Sequence, residues 1–308
     1  YLYITDAGNH RVVKTEWGGA NWQTCGSFGS GVGRFRFPVG VAYDSPSDFL
    51  YITDSENHRV VKTKSDCNLA TWSSYGSYGA GVGRFYFPRG IDYDAGGGFV
   101  YVTDYYNHRL VKTQMDGSGW QTYGSFGAYT LTDPAVGKFR YPWGIFFSGG
   151  DLYVADTSNL RIVKTQMGGG GWQSLGTLKY VTLPRSVSSS GGGVIYVADY
   201  NNHRIVKTKM DGSDWQMVGS YGQVSAPLNI RFNTPWGIAY DGGYVYVADA
   251  INNRLAKTKI DGSEWYELGS SGTQSGQFSV PTGIYYDSAS HFLYVLDRNY
   301  HRLIKTMI

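Results

Sequence analysis

Glutamate is scarce, with four residues in a chain of 308, and charged residues of all kinds make up 17%. An average soluble chain has roughly 25%. Ala-Leu-Glu-Lys stretches are missing as well, which excludes a helical protein. No apolar run approaches the roughly 18 residues of a membrane span, so none is expected. Two cysteines cannot form a disulfide framework, and there is no Cys-x-x-Cys pair to seed a metal site. The formal charge of +3 is too small to imply a nucleic-acid partner by itself. Neither a nucleophile–base pair nor a phosphate-binding glycine loop is present, so no catalytic residue and no cofactor are expected. The chain opens at Tyr1 without Met or signal peptide and reads as an excerpt of a longer chain. What the sequence does have is 43 Gly, 27 Tyr, 14 Phe and 9 Trp, within 42% hydrophobic residues. That is enough for a large core and excludes a disordered chain.

These residues recur in register. Tyr3-Ile-Thr-Asp6-Ala-Gly-Asn9-His10-Arg11-Val-Val-Lys14-Thr15 returns with its Asp at Asp54, Asp104, Asp156, Asp199, Asp249 and Asp297. The steps are 48, 50, 52, 43, 50 and 48 residues. The Arg follows each time, at Arg11, Arg59, Arg109, Arg161, Arg204, Arg254 and Arg302. Each period resolves into four short strands divided by Gly-rich turns. Strand a is of the Gly-Ile-Ala-Tyr-Asp type, b is Leu-Tyr-Val-Ala-Asp, c is Arg-Ile-Val-Lys-Thr and d is Trp-Gln-Thr-Tyr-Gly. Turns such as Met210-Asp211-Gly212-Ser213 close the c–d hairpins. Four antiparallel strands at a period of about 50 predict an all-β fold, a β-propeller of four-stranded antiparallel blades spanning 1–308 as one domain. The strand order runs b-c-d, five complete units, then a-b-c. It favours seven blades, with six as the alternative.

Pro-x-Gly-Ile-Ala-x-Asp followed by Leu-Tyr-Val-Ala-Asp-x-x-Asn-His-Arg-Ile closely resembles the NHL repeat. Asp199-Tyr-Asn-Asn202-His203-Arg204-Ile205 and Asp54-Ser-Glu-Asn57-His58-Arg59-Val60 carry the match. The resemblance covers the whole chain and implies a propeller. It leaves function open among RNA-binding modules, protein-interaction and sensor domains, and a few lyases.

Residues fixed in every copy serve the blade rather than one asymmetric site. The Asp ending b and the Arg opening c are expected to pair across the b–c turn, with the Asn between them shaping it. His10, His58, His108, His203 and His301 sit in these turns, with Leu160 and Asn253 in the other two copies. They are expected to pack separately between blades and to share no metal. Trp22, Trp72, Trp120, Trp172, Trp215 and Trp265 read as blade packing. Cys25 takes the slot of Tyr75 and Tyr123, while Cys67 interrupts a c–d turn; neighbouring blades and different heights disfavour a mutual disulfide. Asp92 places a lone carboxylate on an inner strand, to be satisfied by backbone, water or Arg89 in preference to acting as a catalytic acid.

Recognition is expected on the d–a loops. They carry Arg34, Arg36, Arg84, Arg89, Lys138, Arg140, Lys179, Arg185 and Arg231 against Asp133 alone, interleaved with aromatics, and they diverge most among copies. The residue after the rim proline runs Val39, Arg89, Trp143, Arg185, Trp236, Thr282. Arg34, Arg36, Arg84, Arg89, Trp143, Arg185 and Trp236 are the binding candidates. The opposite turns carry acids such as Asp116, Asp211 and Asp261. The favoured reading is a non-catalytic binding or scaffold module, secreted or on a cell surface, that meets a protein or glycan. A nucleic-acid-binding module on the same basic loops is the alternative, and a metal-dependent lyase is the less favoured one.

Overall fold

The computed structural model describes residues 2–16, 21, 23–94, 96–114, 116–127, 137–166, 168–176, 180–189, 192–221, 230–241, 243–274, 276–287, 292–300 and 302–307. Within each blade the strands pair antiparallel in chain order, each with the next, so the blade is a meander of hairpins; four short two-stranded parallel ladders lie in the d–a loops. The second sheet is representative. Its strand a is Pro38–Asp44, b is Phe49–Asp54, c is Arg59–Lys64 and d is Ser73–Tyr75. Five sheets have all four strands; the first has b, c and d, and the last has a, b and c. The fold is an all-β, six-bladed propeller of four-stranded antiparallel sheets. Seven blades, the count favoured by the strand order, is thereby corrected to its alternative, six, since neither three-stranded end sheet is a complete four-stranded blade. Helical structure among the described residues is confined to three-residue 3-10 turns.

The chain divides into two compact units, residues 1–159 with 164–173, and residues 160–163 with 174–308. Within each, sheets pack face to face, so strands b and c are covered on both sides. That is why they read as nearly unbroken apolar runs rather than as an alternation. Leu50, Tyr51, Ile52, Val60 and Val61 are fully buried in this way. Val12, Cys25, Phe35, Leu50, Ile52 and Val61 form one inter-sheet core, and Ala42, Tyr51, Val60, Phe85, Ile91, Val100, Val102 and Val111 the next. In the second unit Ile205, Phe232, Val245 and Val247 belong to the matching layer.

A phenylalanine plugs these layers from five of the six d–a loops, and in the fourth, which has no phenylalanine, Val181 is fully buried. Phe35, Phe85, Phe139, Phe232 and Phe278 are buried at 0 to 2% exposure. Burial of such a ring is worth about 1.5–3 kcal/mol. The glycine ending strand d lies flat on the plug: a Cβ at Gly26, Gly76, Gly124, Gly219 or Gly269 would strike the ring, and all five have positive φ. The strand-d tryptophan packs on it too, with ring centroids 4.9 Å apart for Phe35–Trp72, 4.7 Å for Phe85–Trp120 and 5.3 Å for Phe232–Trp265. Trp22 lies outside the described residues.

The c–d turn tips make a second inter-sheet contact. A Cβ on Gly117 would fall 2.6 Å from the Tyr75 ring of the preceding sheet, and one on Gly212 would fall 2.8 Å from Leu175. In the second sheet the same turn position is Cys67, also at positive φ, and the residue facing it is Cys25. The two form a disulfide, with Cα atoms 5.5 Å apart. The expectation of unpaired cysteines is thereby corrected. Different positions along their own strands do not separate them, because each turn tip leans onto strand d of the sheet before it. The disulfide replaces a glycine-on-aromatic contact with a covalent one.

Removing the bond as Cys25→Ser/Cys67→Ser is expected to cost about 2–4 kcal/mol. Cys25→Tyr/Cys67→Gly restores the pair used by the third sheet and is expected to recover a measurable part of that loss. Urea unfolding of the three proteins checks this; equal losses in both double variants would show that the turn-tip contact contributes nothing.

Candidate functional site

The d–a loops are held by the carboxylate at the end of strand b. Asp54 is fully buried. Its Oδ1 accepts the Arg36 backbone N–H at 2.6 Å, and its Oδ2 accepts Asn57 Nδ2 and Arg59 Nε, both at 2.8 Å. Arg59 passes the constraint on, donating Nη1 to the Ser30 carbonyl at 2.7 Å and Nη2 to the Arg34 carbonyl at 2.7 Å. Asn57 donates to the Gly29 carbonyl at 2.8 Å. One buried charge therefore fixes a whole Gly-rich loop. The third sheet repeats it through Asp104, which accepts Tyr86 N, Asn107 and Arg109; Arg109 in turn reaches the Ala80 and Arg84 carbonyls.

The pair itself is 2.7 Å for Asp6–Arg11 and 2.8 Å for Asp54–Arg59, Asp104–Arg109, Asp199–Arg204 and Asp249–Arg254. Asp156 accepts Arg140 N and Asn159, while Arg161 is buried. Asp297 accepts the Ser279 N–H at 2.6 Å, and the Arg302 side chain lies outside those described. Burial pushes the Asp54, Asp104, Asp199 and Asp249 carboxyls up, against the N–H donors and the Arg that favour the charged form.

The histidines hold the loop's last residue. Phe37, Phe87, Tyr141 and Thr234, each just before the rim proline, sit at φ of 54 to 56°. This left-handed backbone is costly outside glycine, by about 1–2 kcal/mol. Their N–H groups donate to Nδ1 of His10, His58, His108 and His203 at 3.0, 3.2, 3.1 and 2.9 Å. In the sixth sheet Asn253 Oδ1 accepts the Val280 N–H at 2.9 Å, so the asparagine substitutes for the imidazole. An accepting Nδ1 requires the Nε2–H tautomer. Burial lowers the pKa of His58, His108 and His203. His301 lies outside the described residues, among which no group of three or more His, Cys, Asp or Glu converges as metal ligands would.

On this scaffold the binding candidates fall into two sets. In the first unit the Arg89 guanidinium lies 4.6 Å from the Trp143 ring, 5.3 Å from Tyr105 and 6.0 Å from Phe37. In the second unit Arg185 lies 4.6 Å from Tyr200 and 4.8 Å from Trp236, with Arg298 5.6 Å from the same indole. The alternation Arg89, Trp143, Arg185, Trp236 thus builds two homologous guanidinium–indole–phenol stacks. The stacking itself was not legible in the sequence, although the alternation was. Arg34, Arg36 and Arg84 form the second set and are exposed. Arg36 pairs with Glu56 at 2.9 Å and stands 5.8 Å from the Phe28 ring. Lys179, Asp133 and the 128–136 and 223–229 insertions lie outside the described residues.

Asp92 belongs to neither set. Its Oδ2 accepts Phe147 N at 2.6 Å and its Oδ1 accepts Tyr93 N at 2.8 Å, so backbone satisfies the carboxylate and ties two inner strands together. Burial raises its pKa, and the two N–H groups oppose the shift.

Residues 35–62, 85–112, 139–164 and 182–207 match the NHL repeat. No curated protein matches the chain in sequence. Among solved structures, that of streptogramin B lyase is similar at 13% identity and TM-score 0.61, covering 88% of this chain and 83% of its own. The crystal structure of a nidogen/laminin complex gives 16% and 0.61, covering 92% and 96%. Hydrazine synthase of Kuenenia stuttgartiensis gives 12% and 0.66, covering 99% and 94%. At these identities the likeness is one of fold.

The imidazoles set a pH dependence. Unfolded histidine takes up its proton near pH 6.5, roughly, above the lowered folded value, so protonation favours the unfolded chain. Stability is therefore expected to be full above about pH 6.5 and to fall as pH drops below it. His58→Asn, which copies Asn253, is expected to keep the bond and weaken this dependence, whereas His58→Leu loses stability at every pH. Chemical denaturation from pH 8 to 5 checks both; an identical pH slope in wild type and His58→Asn would contradict the assignment.

Proposed function

Taking the chain as an NHL-repeat β-propeller, we propose that it is a non-catalytic binding or scaffold module, working outside the cell or at its surface, that recognises a protein or glycan through its d–a loops. The observation that carries this reading is the pair of guanidinium–indole–phenol stacks at the inner end of those loops. Arg, Trp and Tyr are the side chains that most often anchor interfaces. Arg89, Trp143, Arg185 and Trp236 stand on strands, and Tyr105 and Tyr200 on the 3-10 turns between strands b and c, so their positions are preset and little ordering entropy is spent on binding.

Two further observations support the reading. The Cys25–Cys67 disulfide suits an oxidising compartment. A propeller of similar fold occurs in the nidogen/laminin complex, which illustrates this architecture in a protein assembly. No helix among the described residues is long and apolar enough to cross a membrane. The repeated carboxylates, which an enzyme would draw on, are here occupied in holding loops.

Binding to a panel of extracellular proteins and glycans, measured by surface plasmon resonance, tests the reading. Arg89→Glu and Trp236→Ala are each expected to weaken a bound partner about 30-fold or more, the scale of a 2 kcal/mol hot spot. Asp211→Lys on a c–d turn is expected to leave it unchanged. Loss of binding in the turn variant, with both rim variants normal, would assign recognition to the other turns.

A further inference from the structure

The d–a loops of the first unit repeat a second arrangement that the guanidinium stacks leave unexplained. After the Gly-Ser that ends each strand d comes an aromatic ring that the core does not use: Phe28, Tyr78 and Phe126, at 59, 59 and 55% exposure. Each lies on the imidazole of the b–c turn before it, with centroids 4.8 Å apart for His10–Phe28, 5.0 Å for His58–Tyr78 and 4.9 Å for His108–Phe126. One side of each ring is thus held by the protein. The ring remains more than half exposed.

A cation accompanies each ring. A short parallel ladder sets Ser27 across from Arg34 and Ser125 across from Lys138, and Tyr78 bridges to Phe85, the neighbour of Arg84. Arg84 Nη1 reaches toward the Tyr78 carbonyl at 3.5 Å, and Lys138 Nζ donates to Ser125 Oγ at 2.7 Å. Tyr221 beside Arg231 shows the same pairing in the second unit. Packing does not require these rings to be aromatic, since Ser271 fills the equivalent place in the copy where Asn253 replaces histidine.

Resting on the reading of the chain as a d–a loop binding module, we propose that Phe28/Arg34, Tyr78/Arg84 and Phe126/Lys138 are three equivalent subsites for an anionic polysaccharide, one per sheet. The C–H face of a sugar ring carries partial positive charge and suits the negative face of a fixed aromatic ring. A sulfate or carboxylate on the same sugar forms charge-assisted hydrogen bonds with the cation beside it. Each subsite is weak by itself, and a polymer that engages successive subsites gains by effective concentration. Charge density separates this ligand from a nucleic acid. A nucleic acid has a phosphate at every nucleotide and rewards a continuous cationic track. Here there is a single aromatic–cation pair on each of three sheets, a net charge of +3, and a disulfide that suits the space outside cells.

The full chain is titrated by calorimetry with heparin and polygalacturonate as sulfated and carboxylated probes, with dextran as the neutral probe and poly(U) as the nucleic acid. Heparin or polygalacturonate is expected to bind and dextran not to bind. Tyr78→Ser is expected to weaken long chains about tenfold, and Phe28→Ser/Tyr78→Ser/Phe126→Ser to abolish binding. Matching thermal unfolding in wild type and variants shows that the fold is intact, as expected for exposed side chains. Three outcomes overturn the proposal: neither polyanionic glycan binds, poly(U) binds more tightly than both, or the triple variant binds heparin as wild type does. If both polyanionic glycans fail while a protein partner remains sensitive to Arg89→Glu, only this inference falls and the binding-module reading stands.

Discussion

A buried carboxylate at the end of strand b is the interaction on which the rest of each repeat depends. A charge at that depth is costly unless every lone pair is met. Asp54 and Asp104 meet the requirement by gathering donors from three places: a backbone N–H in the d–a loop, the Asn of the b–c turn and the Arg opening strand c. The desolvation cost is thereby turned into positional information. The same guanidinium that neutralises the carboxylate spends its remaining donors on loop carbonyls, so a Gly-rich segment that would otherwise be loose has a defined path.

Two other devices act on the same loops from opposite ends. The plug phenylalanine buries the loop's middle between sheets, and the histidine or asparagine of the b–c turn holds the strained residue before the proline. Strained backbone persists where its surroundings over-determine it. The loop can then present Arg89 beside Trp143, and Tyr78 beside Arg84, without ordering them at the moment of binding. The candidate recognition residues vary among copies, while the Asp and Arg of the b–c turn recur in all of them, and this division of labour is what a repeat scaffold permits.

Much of this was legible in the sequence because the chain contains its own copies for comparison. The Asp, Asn and Arg of the b–c turn, and the four strands of each repeat, could be read from periodicity alone. Contacts between sheets were harder to read. Cys25 was seen to occupy the slot of Tyr75, yet its bond to Cys67 depends on each c–d turn leaning onto the preceding sheet, which no spacing within one repeat reveals. The plug phenylalanines were seen only as aromatics interleaved with the basic loop residues, and their packing role was missed for the same reason. The recurring pattern of Gly before strand-end Ser, then a basic or polar residue before Phe, was available as a signal but has no meaning until two sheets face each other. The count of blades failed at the ends, where incomplete sheets carry the least information. The histidines were read as packing groups between blades, and the role of four of them as acceptors for a left-handed residue required the backbone.

Amide hydrogen exchange on Asp104→Ala reaches the central relation most directly. The expected result is a selective loss of protection at the Tyr86 amide and across residues 79–85, with strand b amides of the neighbouring sheets retaining theirs. Unchanged protection in that loop, or a uniform loss throughout the chain, would show that the carboxylate does not organise the d–a loops.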